Sequence, residues 1–489
     1  MRETSQRPRL SDAILHLLPE RLDNVVHLED RETQATNTTD EEQLAALGYK
    51  QQLKRSMSLS DVVIYGLIFM VPLAPVGVFG AIFNYSHGMV ALIYLVAGIA
   101  MFFSAVSYKE MAKQYPVAGS VYSYVRLGTT KLVGFLSGWA ILLDYLLLPA
   151  LLSILGASAM AAVLPEIPGW IWIIVFVGLV AAINLRGIVL TAKMNMIFLV
   201  IQLAAFAIFV GGALLAIAQG RASFQLSPLY QADAVSWPLV FGAIPLAALA
   251  YIGFDAISTL NEEAKGGGRT VARATMIVLF LVIVLFVAQV YFAALFVPTT
   301  KPFADGDATN NAFYNIAGVV VAPWFKIVFT LVSALIALFA NVLVSHATTS
   351  KLVFAMARDG QLPRQLAIIS PKRNVPTVAM IVVALVSAAI GVIAVGQIEI
   401  MTTMVTFGAL TAYILLHVSV IVDFGFRQKS KKIFMHWISP IIGIAILGYA
   451  LLSTSELAKI VGICWLIVGA IIAVVLRVKG RSLETEDVV

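Results

Sequence analysis

Charge is scarce in this chain. Asp, Glu, Lys and Arg make up 12% of its 489 residues, and 60% are hydrophobic. A soluble domain carries about twice that charge, so a soluble protein of one or two domains is excluded. Cysteine is nearly absent: Cys464 stands alone in an apolar run, so no intrachain disulfide can form. His87 and His346 have no partners at metal-ligand spacing, which argues against a metal. No paired histidines and no nucleophile with its base share one depth, which argues against a membrane enzyme. The run Gly266–Gly268 precedes no Lys-Ser or Lys-Thr pair, so it reads as a flexible loop and not a phosphate loop. The first 57 residues are polar, with no short apolar core, so no cleavable signal peptide is expected. The net charge of +6 does not call for nucleic acid, because its distribution along the chain explains it.

What the chain has in abundance is apolar runs of membrane-spanning length. Twelve are expected, at about 61–83, 89–107, 132–164, 168–185, 192–218, 238–260, 274–297, 318–345, 377–396, 400–423, 435–453 and 459–477. The third would reach roughly 50 Å as a helix against a hydrocarbon core of about 30 Å, so it must tilt or leave the core. Lys and Arg number eighteen in one alternating set of loops (109–131, 186–193, 265–273, 351–373, 427–432) and three in the other (Arg221, Lys301, Lys459). The positive-inside rule places the rich set in the cytoplasm, with both termini, which requires an even span count. The expected fold class is an all-α integral membrane protein of twelve transmembrane helices. Residues 1–57 form a cytoplasmic tail, 58–478 the membrane domain and 479–489 a short cytoplasmic tail. Within the first tail, 41–56 reads either as an amphipathic helix laying Leu44, Leu47 and Leu53 on lipid or as a flexible segment.

Two spans carry helix breakers at matching places. The first contains VPLAPVGVFG, with Pro72, Pro75, Gly77 and Gly80; the sixth contains IPLAALAYIGFD, with Pro245 and Gly253. Proline removes a backbone donor and glycine loosens the helix, so both spans are expected to unwind near the middle. Interrupted helices at equivalent positions of two halves point to a transporter's binding site, with purely structural kinks as the alternative.

Asp144 lies deep in the third span, where an ionisable group costs at least about 2.5 kcal/mol. It suits a proton carrier or an amine partner, or else a structural carboxyl. The adjacent Tyr145 offers an aromatic face and a hydroxyl to an ammonium. Asp255, just past the sixth-span break, fits a coupling or substrate carboxylate, or equally a cap on exposed backbone N–H groups. Ser258 and Thr259 are candidates to cap or coordinate there too. Glu262 and Glu263, near Lys265 and Arg269, read as a solvated charged face before a gating salt bridge.

Five segments together carry a family resemblance: PLAPVGVFG, YPVAGSVYSYV at 115–125, GWAILLDYLLLP at 138–149, GFDAISTLNEE at 253–263 and MARDGQLP at 356–363. With them the chain resembles the amino acid–polyamine–organocation superfamily of secondary transporters from about Leu59 to Leu476. It is most similar there to bacterial putrescine importers. The resemblance implies a LeuT-type fold with two inverted five-helix repeats, about 61–218 and 238–423, and two extra helices at about 435–477. It implies a midplane site between spans one, three, six and eight. A substrate carboxylate would meet the backbone around Val76, Gly77, Val78 and Gly80. An amine would meet carbonyls around Val71–Ala74 and Ala248–Gly253, with Tyr145, Tyr251 and Asp255 beside them. Two departures stand out: Gly77 occupies a place where putrescine importers carry an acid, and Gln202 one where some proton-coupled relatives carry a lysine. Coupling would then lean on Asp144 or Asp255.

The reading is a secondary-active importer of an amino acid or small organic amine, putrescine included, proton-coupled and working by alternating access. An obligate exchanger is the nearest rival, and a transport-incompetent sensor a remote one. No cofactor and no nucleic acid is implied. The partners are substrate, protons and lipid, and the location is a bacterial inner membrane.

Overall fold

A computed structural model of the chain describes residues 42, 44, 45, 55–118, 120–163, 166–186, 188–298, 301–304, 307–333, 338–395, 398–454 and 456–478. Among them the regular structure is helical. Nine described helices are long and apolar enough to cross a membrane, and two apolar helices of 17 residues, Gly169–Leu185 and Thr377–Ile393, accompany them. The chain is an integral membrane protein.

The first span starts at Ser58, whose side chain caps helix α1 (Leu59–Phe69) in a reciprocal box with Asp61. The helix stops there. Val71 takes φ 48°, in the left-handed region, and a 3₁₀ turn spans Ala74–Gly77 before α2 (Phe79–Tyr85) resumes. Then come α3 (Val90–Gln114), α4 (Ser120–Gly128), α5 (Lys131–Val163), α6 (Gly169–Leu185) and α7 (Ile188–Ala218). The sixth span is α8 (Trp237–Tyr251), a turn at Gly253 with φ 119°, and a 3₁₀ segment Phe254–Leu260. Both interruptions expected from the breakers are present. In the sixth span, however, the break falls at Gly253 alone, because α8 runs straight through Pro245. A proline forfeits one helical hydrogen bond, which packing of the surrounding turns can outweigh.

The three glycines at 266–268 are not a loop. Gly266, at φ 78°, caps α9 (Gly267–Ala294), and a Cβ on Gly268 would strike the Ala112 carbonyl at the end of α3. Glycine is needed there because two backbones touch. After α10 (Asp307–Asn310), the expected eighth span at 318–345 is divided. It falls on α11 (Ala312–Val320), α12 (Pro323–Leu331) and α13 (Leu338–Arg358). Pro323 starts a new helix, and α13 carries Lys351 and Arg358 on a helix where a loop was expected. α14 (Thr377–Ile393) and α15 (Ile398–Val420) follow, and α15 continues as a π-helix over Ile421–Arg427. A second π-helix, Phe434–Ile438, leads into α16 (Ser439–Leu452) and then α17 (Glu456–Val478).

The long α5 packs against α4, α6, α13, α15 and α17. Trp139 and Trp465 clasp α5 to α17: each indole N–H donates to the other's carbonyl, at 2.8 and 2.7 Å, and the rings stack at 4.5 Å. The opposite side of α17 exposes Ile460, Ile463, Ile467, Ile471 and Val474 at helical spacing, a face suited to lipid. Most of the segment 41–56 lies outside the described residues. Leu44, expected on lipid, is instead buried in the protein core.

Candidate functional site

Asp255 is the centre of the polar interior. It is fully buried, and three hydroxyls from three other elements converge on its carboxylate. Tyr145 of α5 donates to one oxygen, Tyr413 of α15 donates to the other at 2.7 Å, and Ser120 of α4 approaches at 3.4 Å. Ser120 is itself at φ 55°, in the sparsely populated left-handed region. Asp255 does not cap the start of the 3₁₀ segment, although its carboxylate also meets its own backbone N–H. Gly253 is the N-cap of the 3₁₀ segment and no side chain caps it. The reason is tertiary: hydroxyls of neighbouring helices reach the carboxylate, and charge-assisted bonds of that kind are strong. Ser258 and Thr259 do not cap the 3₁₀ segment either. Each hydroxyl bonds back to a carbonyl three residues earlier, Asp255 and Ala256.

Asp144, one residue before Tyr145, lacks the donors that Asp255 has. It too is fully buried, and neither carboxyl oxygen has a hydrogen-bond partner. It interacts electrostatically with Asp255 and with the hydroxyls of Tyr108 and Tyr413. Rings surround this region: Tyr108 meets Phe254 edge-on at 5.5 Å and Tyr413 at 5.8 Å, and Phe69 lies 6.4 Å from Tyr145. Gln202 on α7, buried with both amide atoms unpartnered, is a second orphaned polar group.

The first break satisfies much of its own backbone. The Val71 and Leu73 carbonyls accept from the Ala74 and Val76 N–H groups at 2.8 and 3.1 Å. Pro72 accepts from the Gln289 side chain of α9 at 2.9 Å. Of the residues expected at the site, Gly77 is exposed, and a Cβ there would meet nothing within 4 Å. Ala74 and Val78 are half-buried, and Val71, Val76 and Gly80 are buried. Gly80 has a different role, since its Cβ would collide with the Thr309 carbonyl. Ala248 is buried, and its carbonyl accepts the Ile252 N–H at 3.1 Å. Tyr251 is committed elsewhere: its hydroxyl donates to the Tyr94 carbonyl at 2.8 Å, and its ring packs on Phe286. Gly253 is pressed against the Phe69 ring.

At one end of these elements, Glu262 and Glu263 are buried, not solvated. Arg358 reaches both oxygens of Glu262 at 3.0 and 3.2 Å, and the Ala118 N–H donates to it at 3.0 Å. Lys351 pairs with Glu263 at 2.9 Å. The partners come from α13, not from the nearby Lys265 and Arg269, because α13 packs across the end of the 3₁₀ segment. Arg126 and Tyr122 of α4 bind Asp359 alongside, the tyrosine at 2.8 Å. Just beyond α3, Tyr115 donates to Asp423 at 2.8 Å, and burial with that carboxylate raises its hydroxyl above the ordinary tyrosine range. His346 bonds Asn184 and the Met380 carbonyl at 3.1 and 3.0 Å. Among the described residues, no three His, Cys, Asp or Glu side chains gather as metal ligands. Sequence reasoning did not assign Ser120, Tyr413, Gln289, Lys351 or Arg358; Ser120 and Arg358 sit inside the segments that carry the resemblance.

The family model for amino acid permeases matches residues 56–478, nearly everything between the tails. This chain belongs to the amino acid permease family. The low-affinity putrescine importer PlaP of Escherichia coli (strain K12) is 30% identical to this permease over 429 residues, covering 86% of this chain and 93% of that protein. The branched-chain amino acid permease BcaP of Bacillus subtilis (strain 168) is 25% identical over 461 residues, covering 88% and 94%. The methylthioribose transporter of the same Bacillus strain is 25% identical over 470 residues, covering 88% and 95%. The family is one of transporters, so the permease is not an enzyme.

Proposed function

We propose that this permease is a secondary-active importer of an amino acid or a small organic amine, polyamines such as putrescine included. Transport would be proton-coupled and would proceed by alternating access around the two interrupted spans. The proposal carries twelve spans, two inverted repeats of about 61–218 and 238–423, two extra helices and both termini in the cytoplasm. The substrate would lie between the first break, with Gly77 at its open edge, and the second, with Gly253 and Asp255. Val71, Ala74, Val76, Val78 and Gly80 contribute the first backbone, Ala248 and Tyr251 the second, and Tyr145 flanks them. Asp144 and Asp255 are the candidates for coupling.

The observation that carries this reading is the state of the two carboxyls. Asp255 is saturated by hydroxyl donors, while Asp144 is wholly buried and has none. An unpartnered carboxyl in a membrane interior is costly, and a proton or an ammonium relieves that cost. The relatives' substrates support the class: putrescine is imported by one and branched-chain amino acids are the named cargo of another.

The test is a thermal-shift screen of purified protein against amino acids and polyamines. A ligand at 100 times its Kd stabilises by about 2.7 kcal/mol, which raises the melting temperature clearly. Hits then enter proteoliposome uptake with and without an inward proton gradient. Stabilisation by none of these compounds sinks the substrate class. Exchange without net gradient-driven uptake favours the obligate exchanger.

A further inference from the structure

The end of α3 that bears Lys109 and Lys113 gathers more positive charge than its acidic neighbour neutralises. Three elements meet there. α9 begins beside it: a Cβ on Gly268 would lie against the Ala112 carbonyl and the Lys113 backbone, which puts Arg269 within electrostatic range of Lys113. The segment leading into the π-helix Phe434–Ile438 brings Lys432 to the same place. The Lys113 and Lys432 ammoniums stand 3.8 and 3.6 Å from the two oxygens of Glu110. Both contacts are longer than hydrogen bonds, so each ammonium keeps donors for another acceptor. Lys109 acts electrostatically on Glu110 and on Lys113. Glu110 is also met by His436 at 3.3 Å, whose ring stacks on Phe424 at 4.3 Å. The next acid, Asp423, is buried and already holds Tyr115 and Gln428, at 2.8 and 3.2 Å. Among the described residues, then, four cations share one carboxylate. Lys113, Arg269 and Lys432 are exposed and Lys109 is half-buried, so the excess charge faces outward.

The surface beyond this cluster is apolar. Ile99, Phe102, Lys109 and Lys113 follow helical spacing along α3, and Ile99 and Phe102 are exposed. Phe102 lies eleven residues from Lys113, about 16 Å further along the helix. α16 packs on α3, and Ile438 and Ile441 at its start are exposed. A cationic end thus gives way to an apolar wall. A soluble anion would use only the first of these, whereas an amphiphile with an anionic head uses both.

We propose that this end of α3 is a headgroup site for an anionic phospholipid, with the phosphate among Lys109, Lys113, Arg269 and Lys432 and the chains along the apolar wall. Basic pockets between membrane helices hold such headgroups. The readout is lipid affinity without substrate, so it stands or falls apart from the transport reading. Purified full-length protein in an uncharged detergent is titrated with phosphatidylglycerol, phosphatidylcholine or glycerol 3-phosphate, and bound molecules are counted by native mass spectrometry. Phosphatidylglycerol should bind about tenfold or more tightly than phosphatidylcholine, and glycerol 3-phosphate at equal concentration should not displace it. Equal affinity for the two lipids overturns the proposal. So does displacement by glycerol 3-phosphate, which would make this a site for a soluble phosphate. Lys113→Gln with Arg269→Gln alters two exposed side chains and should weaken phosphatidylglycerol binding about 25-fold, at roughly fivefold per basic residue. Lys131→Gln with Lys372→Gln removes the same charge from exposed positions outside the cluster and should leave affinity at the parental value. Equal losses in the two pairs would mean a diffuse surface field and no site, and an unchanged affinity in the first pair counts equally against the proposal.

Discussion

Asp144 and Lys351 are both buried in the bundle, yet their replacements should behave in opposite ways. Asp144 has no donor to lose. Asp144→Asn should therefore insert and fold, with a melting temperature near that of the parent protein, since it removes the chance of a buried unpaired charge and keeps a neutral polar group of the same shape. If the carboxyl pairs with a substrate ammonium, affinity for cationic substrates falls about 10- to 150-fold, the equivalent of about 1.5–3 kcal/mol for a charged hydrogen bond. If it carries the coupling proton, binding survives, exchange continues and pH-driven accumulation is lost. Affinity, exchange and accumulation measured in proteoliposomes separate these outcomes, and parental values in all three would leave Asp144 structural. Lys351 has a partner, Glu263, at 2.9 Å with both side chains buried. Lys351→Met strands a buried carboxylate and should cost about 3–5 kcal/mol. Adding Glu263→Gln should recover most of that loss in thermal unfolding, and a double variant no more stable than the single one would show that the pair does not carry the cost.

The two breaks look alike in sequence but stand on different backbones, so their glycines should respond differently. Gly77 lies at an exposed edge with no atom within 4 Å of an added Cβ. Gly77→Leu is expected to fold with parental stability and to abolish uptake by filling the open space. Normal uptake with unchanged affinity would reduce the first break to a kink. Gly253 has φ 119° and faces the Phe69 ring. Even Gly253→Ala meets both backbone strain and a clash, so it should lower stability by about 1–3 kcal/mol, read as a drop in melting temperature. Pro245 should matter less than its residue type suggests: α8 already runs through it, and Pro245→Ala would restore a hydrogen-bond donor within a formed helix.

For the molecule as a whole, the asymmetry of basic residues makes a topological prediction. Lys131, the first residue of α5, and Lys372 and Lys429, in the segments between helices, are exposed. Cysteines at these three positions, in the Cys464→Ala background, should resist an impermeant thiol reagent in intact cells and react once the membrane is opened. Ready labelling of two of the three in intact cells would overturn the proposed orientation. Residue 351, by contrast, is unsuitable as a topological marker, since it lies on α13 and is buried in an ion pair.

Sequence alone determined the membrane class, because long apolar runs with so little charge have no other stable environment. It also marked the first and sixth spans as interrupted, through Pro72, Pro75, Gly77 and Gly253, although packing carried the helix through the other expected breaker, Pro245. Family membership was legible too, in short segments such as GFDAISTLNEE and MARDGQLP. What sequence could not reach is which groups meet across the bundle. Glu262 and Glu263 stand within seven residues of Lys265 and Arg269, and local spacing favours those exposed pairings; helix α13 brings Arg358 and Lys351, about ninety positions away, and buries the acids instead. Asp255 likewise looked like a local cap until Tyr145, Tyr413 and Ser120 reached it from three other helices. The difference is one of range. Helix breaking and membrane partition act over a few residues or sum over a segment. A carboxylate's partners depend on how whole helices pack, and only the tertiary structure decides that.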